Sequence, residues 1–100
     1  MTQYPTDADL SALRTLANDV LTTGFAPLLN RLQAIWWHPR YGIVWSPETG
    51  ALELHTGGWS GNEEIMGVLR ETLFWSLSWR EIKRGGHYYL AVPASMRGGA

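Results

Sequence analysis

Polar and apolar positions recur with two different periods along this chain, and the change of period divides it. In "PTDADLSALRTLANDVLTTG", Leu10, Leu13, Leu16, Ala17, Val20 and Leu21 return at helical spacing and form one apolar stripe. Thr6 stands three residues before Asp9, the spacing of a capping box. Asp7 and Asp9 suit the positive end of the helix dipole, and Gly24 supplies a stop. A second stripe follows in "FAPLLNRLQAIWW", where Leu28, Leu32, Ile35 and Trp36 share a side and Pro27 falls in the first turn. His38-Pro39 ends it, because the residue before a proline is pushed out of the helical region. The short connection predicts an αα-hairpin over residues 1–38.

The period then falls to two. Tyr41, Ile43 and Trp45 alternate with Val44, and Leu52 and Leu54 alternate with Glu53 and His55. Pro47 and Gly50 stand between them where a tight turn wants them, which predicts a hairpin. "NEEIMGVLRETL" returns to helical spacing, with Ile65, Leu69 and Leu73 four apart. Gly67 inside it costs ~1 kcal/mol relative to Ala, so packing must hold this helix. Ser60 and Glu63 fit the pattern S-x-x-E and predict a second capping box. "LFWSLSWREIK" fits a helix that pairs Trp75 with Trp79, or a strand that alternates Trp75, Leu77 and Trp79 with Ser76, Ser78 and Arg80. The strand is the expectation, because Gly85-Gly86 and the strand formers Tyr88, Tyr89, Leu90 and Val92 follow as the rest of a hairpin. Pro93 closes the last strand, and residues 94–100 read as a flexible tail. The pattern predicts one α+β domain over residues 1–100. It is an αα-hairpin followed by a ββαββ unit over residues 41–92, with a four-stranded antiparallel sheet packed against helices.

Composition adds a surplus of large rings. Six Trp in 100 residues exceed what a core of this size encloses, since the indole is large and its N–H needs a partner when buried. Trp36 and Trp37 are adjacent and point about 100° apart on a helix, which sends one of them outward. The absence of Cys excludes disulfides and thiolate metal sites and fits a reducing cytosol. No apolar run approaches ~18 residues, and "MTQYPTDADL" lacks the basic-then-apolar order of a signal peptide. A cytoplasmic protein without a membrane span is the expectation.

The formal net charge of −1 argues against bulk electrostatic capture of nucleic acid or an anionic membrane. The charge is uneven: residues 1–64 hold three Arg against seven acids, and residues 65–100 hold five Lys or Arg against two acids. Arg80, Lys83, Arg84, His87, Tyr88 and Tyr89 mix cations with rings, the composition of a sheet that binds single-stranded nucleic acid. The same residues also read as edge-strand charges that discourage aggregation.

Motif chemistry is sparse. "TGGWSG" lacks the Lys-Ser/Thr of a P-loop and the glycine spacing of a dinucleotide fingerprint, and "GGWSG" is not a nucleophile elbow. His38, His55 and His87 fall in no metal-ligand spacing. No catalytic residue, cofactor or metal set is therefore assigned. An acid–base or metal site assembled in space from His55, His87 and Glu63 or Glu64 is the least favoured of three readings. The first is a protein-binding module, monomeric or homodimeric, that docks through Trp37, Trp59, Arg80, Lys83, Arg84 and His87. The second is single-stranded nucleic-acid binding through Arg80, Lys83, Arg84, Tyr88 and Tyr89.

"TGGWSGNEEI" followed by "FWSLSWREIKRGGHYYLAV" resembles short proteins encoded by tailed phages and prophages, which share TGGWSGNE, FW-x-x-x-W and RGGHY segments. The resemblance covers about residues 55–92, and the two N-terminal helices do not contribute to it. It implies an accessory protein acting in the cytoplasm of a bacterial host, of the kind that binds and inhibits host or defence proteins, without implying an activity.

Overall fold

The computed structural model describes residues 4–97. Helix α1, Asp7–Asn18, starts with the expected box: the Thr6 hydroxyl accepts from the Asp9 N–H, and the Asp9 carboxylate accepts from the Thr6 N–H. The helical stripe does not run unbroken to Gly24. The chain leaves helical geometry at Asp19 and restarts as α2, Val20–Thr23. The break buries Val20 and turns Leu21 outward to 65% exposure, against its expected place on the stripe. Helix α3, Phe25–Ile35, buries Phe25, Leu28 and Leu32. Of the two adjacent indoles, Trp36 goes into the core and Trp37 stays exposed.

The first strand begins later than the alternation implies. Tyr41 belongs to a single turn, α4 (Pro39–Gly42), and not to a strand. His38 caps that turn in the left-handed region at φ 56°, Pro39 follows with its preset φ, and the N–H groups of Tyr41 and Gly42 donate to the His38 carbonyl. Strand β1, Ile43–Ser46, and strand β2, Ala51–His55, then form the expected hairpin. It closes through the Gly50 N–H on the Ser46 carbonyl.

Helix α5 is Ser60–Leu69, and the Ser60–Glu63 capping box does not form. Trp59 is the capping residue, Ser60 lies in the first turn and donates to the Tyr4 hydroxyl, and the Glu63 carboxylate accepts from the Thr56 hydroxyl at 2.6 Å. A buried hydroxyl beside a carboxylate makes a charge-assisted bond that outcompetes a solvated backbone N–H. Leu73 is not the last turn of this helix but the first residue of α6, Leu73–Ser78, in a segment expected to be strand. Thr72 accepts from the Trp75 N–H, Asn18 accepts from the Leu73 N–H, and Ser78 donates back to the Phe74 carbonyl. Strand β3 is thereby shortened to Trp79–Lys83, and it pairs with β4, His87–Ala91.

The chain ends in the described region with a further departure. Ala94–Arg97 form a turn of helix, α7, where a flexible tail was expected. Met96 is buried beneath it, and Arg97 donates to the Pro47 carbonyl. Residues 98–100 of that expected tail lie outside the described residues.

The protein is thus an α+β fold with a four-stranded antiparallel sheet in the order β1-β2-β4-β3. Leu52, Leu54, Tyr88 and Leu90 point to the helices and build the core with Leu13, Leu28, Leu32, Ile65, Leu69 and Phe74. The alternate positions Glu53, His55, His87 and Tyr89 point to the opposite face and stay half exposed. Among the described residues no helix is long and apolar enough to cross a membrane.

Candidate functional site

The topology gathers most of the residues singled out above at one end of the sheet. β1 and β4 begin at the end where β2 and β3 finish, so Ile43, His55, His87 and Lys83 fall near one border. Beyond that border the Thr56 N–H donates to the Gly86 carbonyl, which draws the turn between β3 and β4 against the loop that carries Trp59. Gly57 and Gly58 sit at φ 64° and 75°, a left-handed pair that turns the chain out of β2 into α5.

On this end the exposed rings form a continuous ladder. Tyr4 packs at a tilt against Trp59 with 5.0 Å between centroids, Trp59 against Trp37 at 4.9 Å, and Trp37 against His38 at 4.2 Å; Tyr41 meets His38 edge-on at 6.3 Å. Trp59 also packs against Gly61, where a Cβ would run into its ring. Tyr41 is 78% and Tyr4 54% exposed, so the ladder presents its outer rungs to solvent. A cleft of about 360 Å³ lined by Tyr4, Thr6, Asp9, Arg31 and Ile35 continues from its Tyr4 end.

One buried side chain holds the ladder together. Asn62, 1% exposed, accepts from the Trp37 N–H at 2.9 Å and donates to the carbonyls of Trp37 and Thr56. The loop after α3 and the loop after β2 are therefore fastened to the same residue of α5. Of the ladder, only Trp37 and Trp59 were singled out from sequence. Tyr4, His38, Tyr41 and Asn62 were not, because their proximity depends on how two distant loops meet. The left-handed His38 before Pro39 was the nearest thing to a local signal.

The cation and aromatic cluster of the last hairpin comes apart. Tyr88 is buried, packed edge-on to Trp75 under the Arg70 guanidinium, and is closed to any stacking base. Tyr89 faces outward with the Lys83 ammonium over its ring at 5.3 Å. Arg80 lies at the register shift between Trp79 and Glu81 on the sheet edge and donates to the Trp79 carbonyl. Arg84 is exposed in the turn.

His55 and His87 do converge, with Nδ1 atoms 2.7 Å apart. Their carboxylate partner is Glu53, which accepts from His55 Nε2 at 3.0 Å; Glu63 is engaged by Thr56. Glu53 stands two residues before His55 and so shares its face of β2, a spacing that strand periodicity contains. Glu64 makes no side-chain hydrogen bond or ion pair among the described residues.

No family model matches this chain, and no curated protein or solved structure matches it either.

Proposed function

We propose that this protein is a non-enzymatic binding module that docks on another protein through the ring ladder Tyr4–Trp59–Trp37–His38–Tyr41. The ladder is the observation that carries this reading. Rings that could have been buried are instead packed side by side at the surface, with Trp59 half-buried in the middle and a buried amide anchoring them from below. Rigid aromatic surface lends itself to recognition because little conformational entropy is lost on binding, and Trp and Tyr dominate interface hot spots. The adjoining cleft offers a seat for a protruding side chain. A protein partner is favoured over single-stranded nucleic acid, because base stacking needs rings interleaved with cations. Here Tyr88 is in the core, and Lys83, Arg84 and Arg80 lie on β3 and its turn. The resemblance of residues 55–92 to phage and prophage proteins adds a setting: an accessory protein that occupies a surface of a host or defence protein in the bacterial cytoplasm.

The test is affinity capture from infected or lysogenic cells, comparing the native chain with a Trp37→Ala/Trp59→Ala variant whose fold is checked by circular dichroism. Loss of a hot-spot ring weakens binding by ~2 kcal/mol or more, about 30-fold. A partner enriched by the native chain and lost from the variant supports the surface. Identical capture profiles reject it.

A second reading, self-association, rests on a separate observation. All five residues of β3 are exposed, Trp79 and Ile82 among them, and Leu73 and Leu77 of the preceding α6 are exposed as well. An open edge strand with apolar neighbours is a template for pairing with a second copy.

A further inference from the structure

On the open face of the sheet, away from the ring ladder's own contacts, His55 and His87 are register partners on the two central strands. The next pair along, Thr56 and Gly86, is joined by a direct backbone hydrogen bond. His55 and His87 therefore occupy a non-hydrogen-bonded position, where opposed side chains come closest in an antiparallel sheet. Their Nδ1 atoms face each other at 2.7 Å. Glu53 lies at hydrogen-bond distance from His55 Nε2, and a neutral His55 that donates there turns an unprotonated Nδ1 toward His87, whose Nδ1–H completes the short contact. Two imidazole nitrogens thus converge on one point, with a carboxylate behind the first of them.

We propose that His55 and His87 form a two-imidazole site for a borderline divalent cation of the Zn²⁺, Ni²⁺ and Cu²⁺ class, with Glu53 as its orienting carboxylate. Carboxylate–histidine–metal order is the usual outer arrangement of an imidazole ligand, because the carboxylate sets the tautomer and raises the basicity of the ligating nitrogen. Two ligands each about 2.0 Å from an ion, at tetrahedral or square angles, stand about 2.9–3.3 Å apart. The pair has only a few tenths of an ångström to open, a small rotation of either ring on a half-exposed face. The shared proton moves from Nδ1 to Nε2 of His87 through solvent, so neither imidazole changes charge. Among the described residues no group of three or more His, Cys, Asp or Glu is placed to hold a metal, and solvent fills the other positions. Lys83, opposite His87 in the register, is turned aside over Tyr89, while Glu53 supplies negative charge. Cu²⁺ binds tightest, by the general order of affinities for imidazole nitrogen.

Titration of the full chain with Cu²⁺ at neutral pH, followed by electron paramagnetic resonance and a competition assay, tests the site. The native chain takes up one Cu²⁺ and shows coupling to two imidazole nitrogens. His55→Gln and His87→Gln each lose that two-nitrogen pattern and bind at least about tenfold more weakly, and Glu53→Gln keeps the pattern but weakens binding roughly 10–100-fold. His38→Gln leaves both readouts unchanged. A native spectrum of amine and amide nitrogens without imidazole coupling overturns the proposal whatever the variants do. So does an affinity that survives loss of either His55 or His87.

Discussion

Asn62 shows how much one buried amide can organise. Its oxygen and nitrogen engage the Trp37 N–H, the Trp37 carbonyl and the Thr56 carbonyl, three backbone groups from two loops. Removing the amide while keeping the volume strands the Trp37 N–H and carbonyl, while the Thr56 carbonyl keeps the Trp59 N–H. Each buried polar group so stranded costs about 1–3 kcal/mol. Asn62→Leu is therefore expected to lower unfolding stability by about 2–4 kcal/mol in urea titration, and to weaken the near-ultraviolet circular dichroism of the paired indoles Trp37 and Trp59. Asn62→Asp keeps the acceptor for the Trp37 N–H but loses both donations, so it falls between Leu and the native residue. An unchanged urea midpoint for Asn62→Leu would mean that the clamp is idle. Trp59 owes its place to a smaller neighbour: Gly61 is required because the indole lies where a Cβ would be. The spacing of Ser60 and Glu63 suggested a cap, but Thr56, one residue past β2, took the carboxylate instead. Local spacing carries no information about such a competitor, because Thr56 reaches Glu63 only after the Gly57-Gly58 turn has folded.

At the scale of elements, local pattern and tertiary demand agree over the bodies of α1, α3 and α5 and in the first hairpin, and part company at the junctions between elements. The α1 box and the turn closed by Gly50 follow from interactions within a few residues and were legible, whereas the expected outward indole is Trp37 for another reason: α3 ends at Ile35, and the extended backbone at Trp36 splits the pair. The segment Leu73–Ser78 has serines and aromatics suited to a strand, yet Thr72, Asn18 and Ser78 together satisfy a helical turn, and Phe74 and Trp75 then face the core. Asn18 is 55 positions away from Leu73, so nothing in the local window reports it. The end of the chain repeats the lesson, since "ASMR" has the look of a tail until Met96 finds a site against α2 and α3. Met96 is 4% exposed, and truncating a buried Met costs about 2–5 kcal/mol. Met96→Ala is expected at the lower end of that range, because α7 is one turn long and relaxes into the space. The drop should appear in thermal unfolding as ~8 °C or more for a chain of this size. A shift below one or two degrees would show that α7 is dispensable.

For the whole molecule, the sheet order places one edge, β3, beside exposed Leu77, Trp79 and Ile82 and leaves the face bearing His55 and Tyr89 open. The gathering of Trp37, Trp59 and His87 near one end was foreseeable only in part. Two hairpins could be read from the chain, but the pairing of β2 with β4 joins strands that are not consecutive, and that pairing alone sets His55 against His87. The same topology decides how two copies could meet. Antiparallel pairing of two β3 strands about a two-fold axis can set each Trp79 against an Ile82 and each Arg80 against a Glu81, matching apolar to apolar and cation to anion. The register shift at Arg80 and the charge of Lys83 oppose extended edge-to-edge growth, so a closed dimer is favoured over a fibre. Size-exclusion chromatography with light scattering is expected to show a dimer that dissociates on dilution, and Ile82→Lys is expected to give a monomer with an unchanged circular dichroism spectrum. Ile82 is 43% exposed, and surface substitutions of this kind change stability within about 0.5 kcal/mol, so loss of the dimer would not be confused with unfolding. Because the ring ladder lies at the end of the sheet and not along β3, Ile82→Lys should still capture whatever Trp37→Ala/Trp59→Ala loses. A dimer that persists in Ile82→Lys would remove β3 as the interface, and loss of capture in that variant would mean that the partner reads the dimer and not the ladder alone.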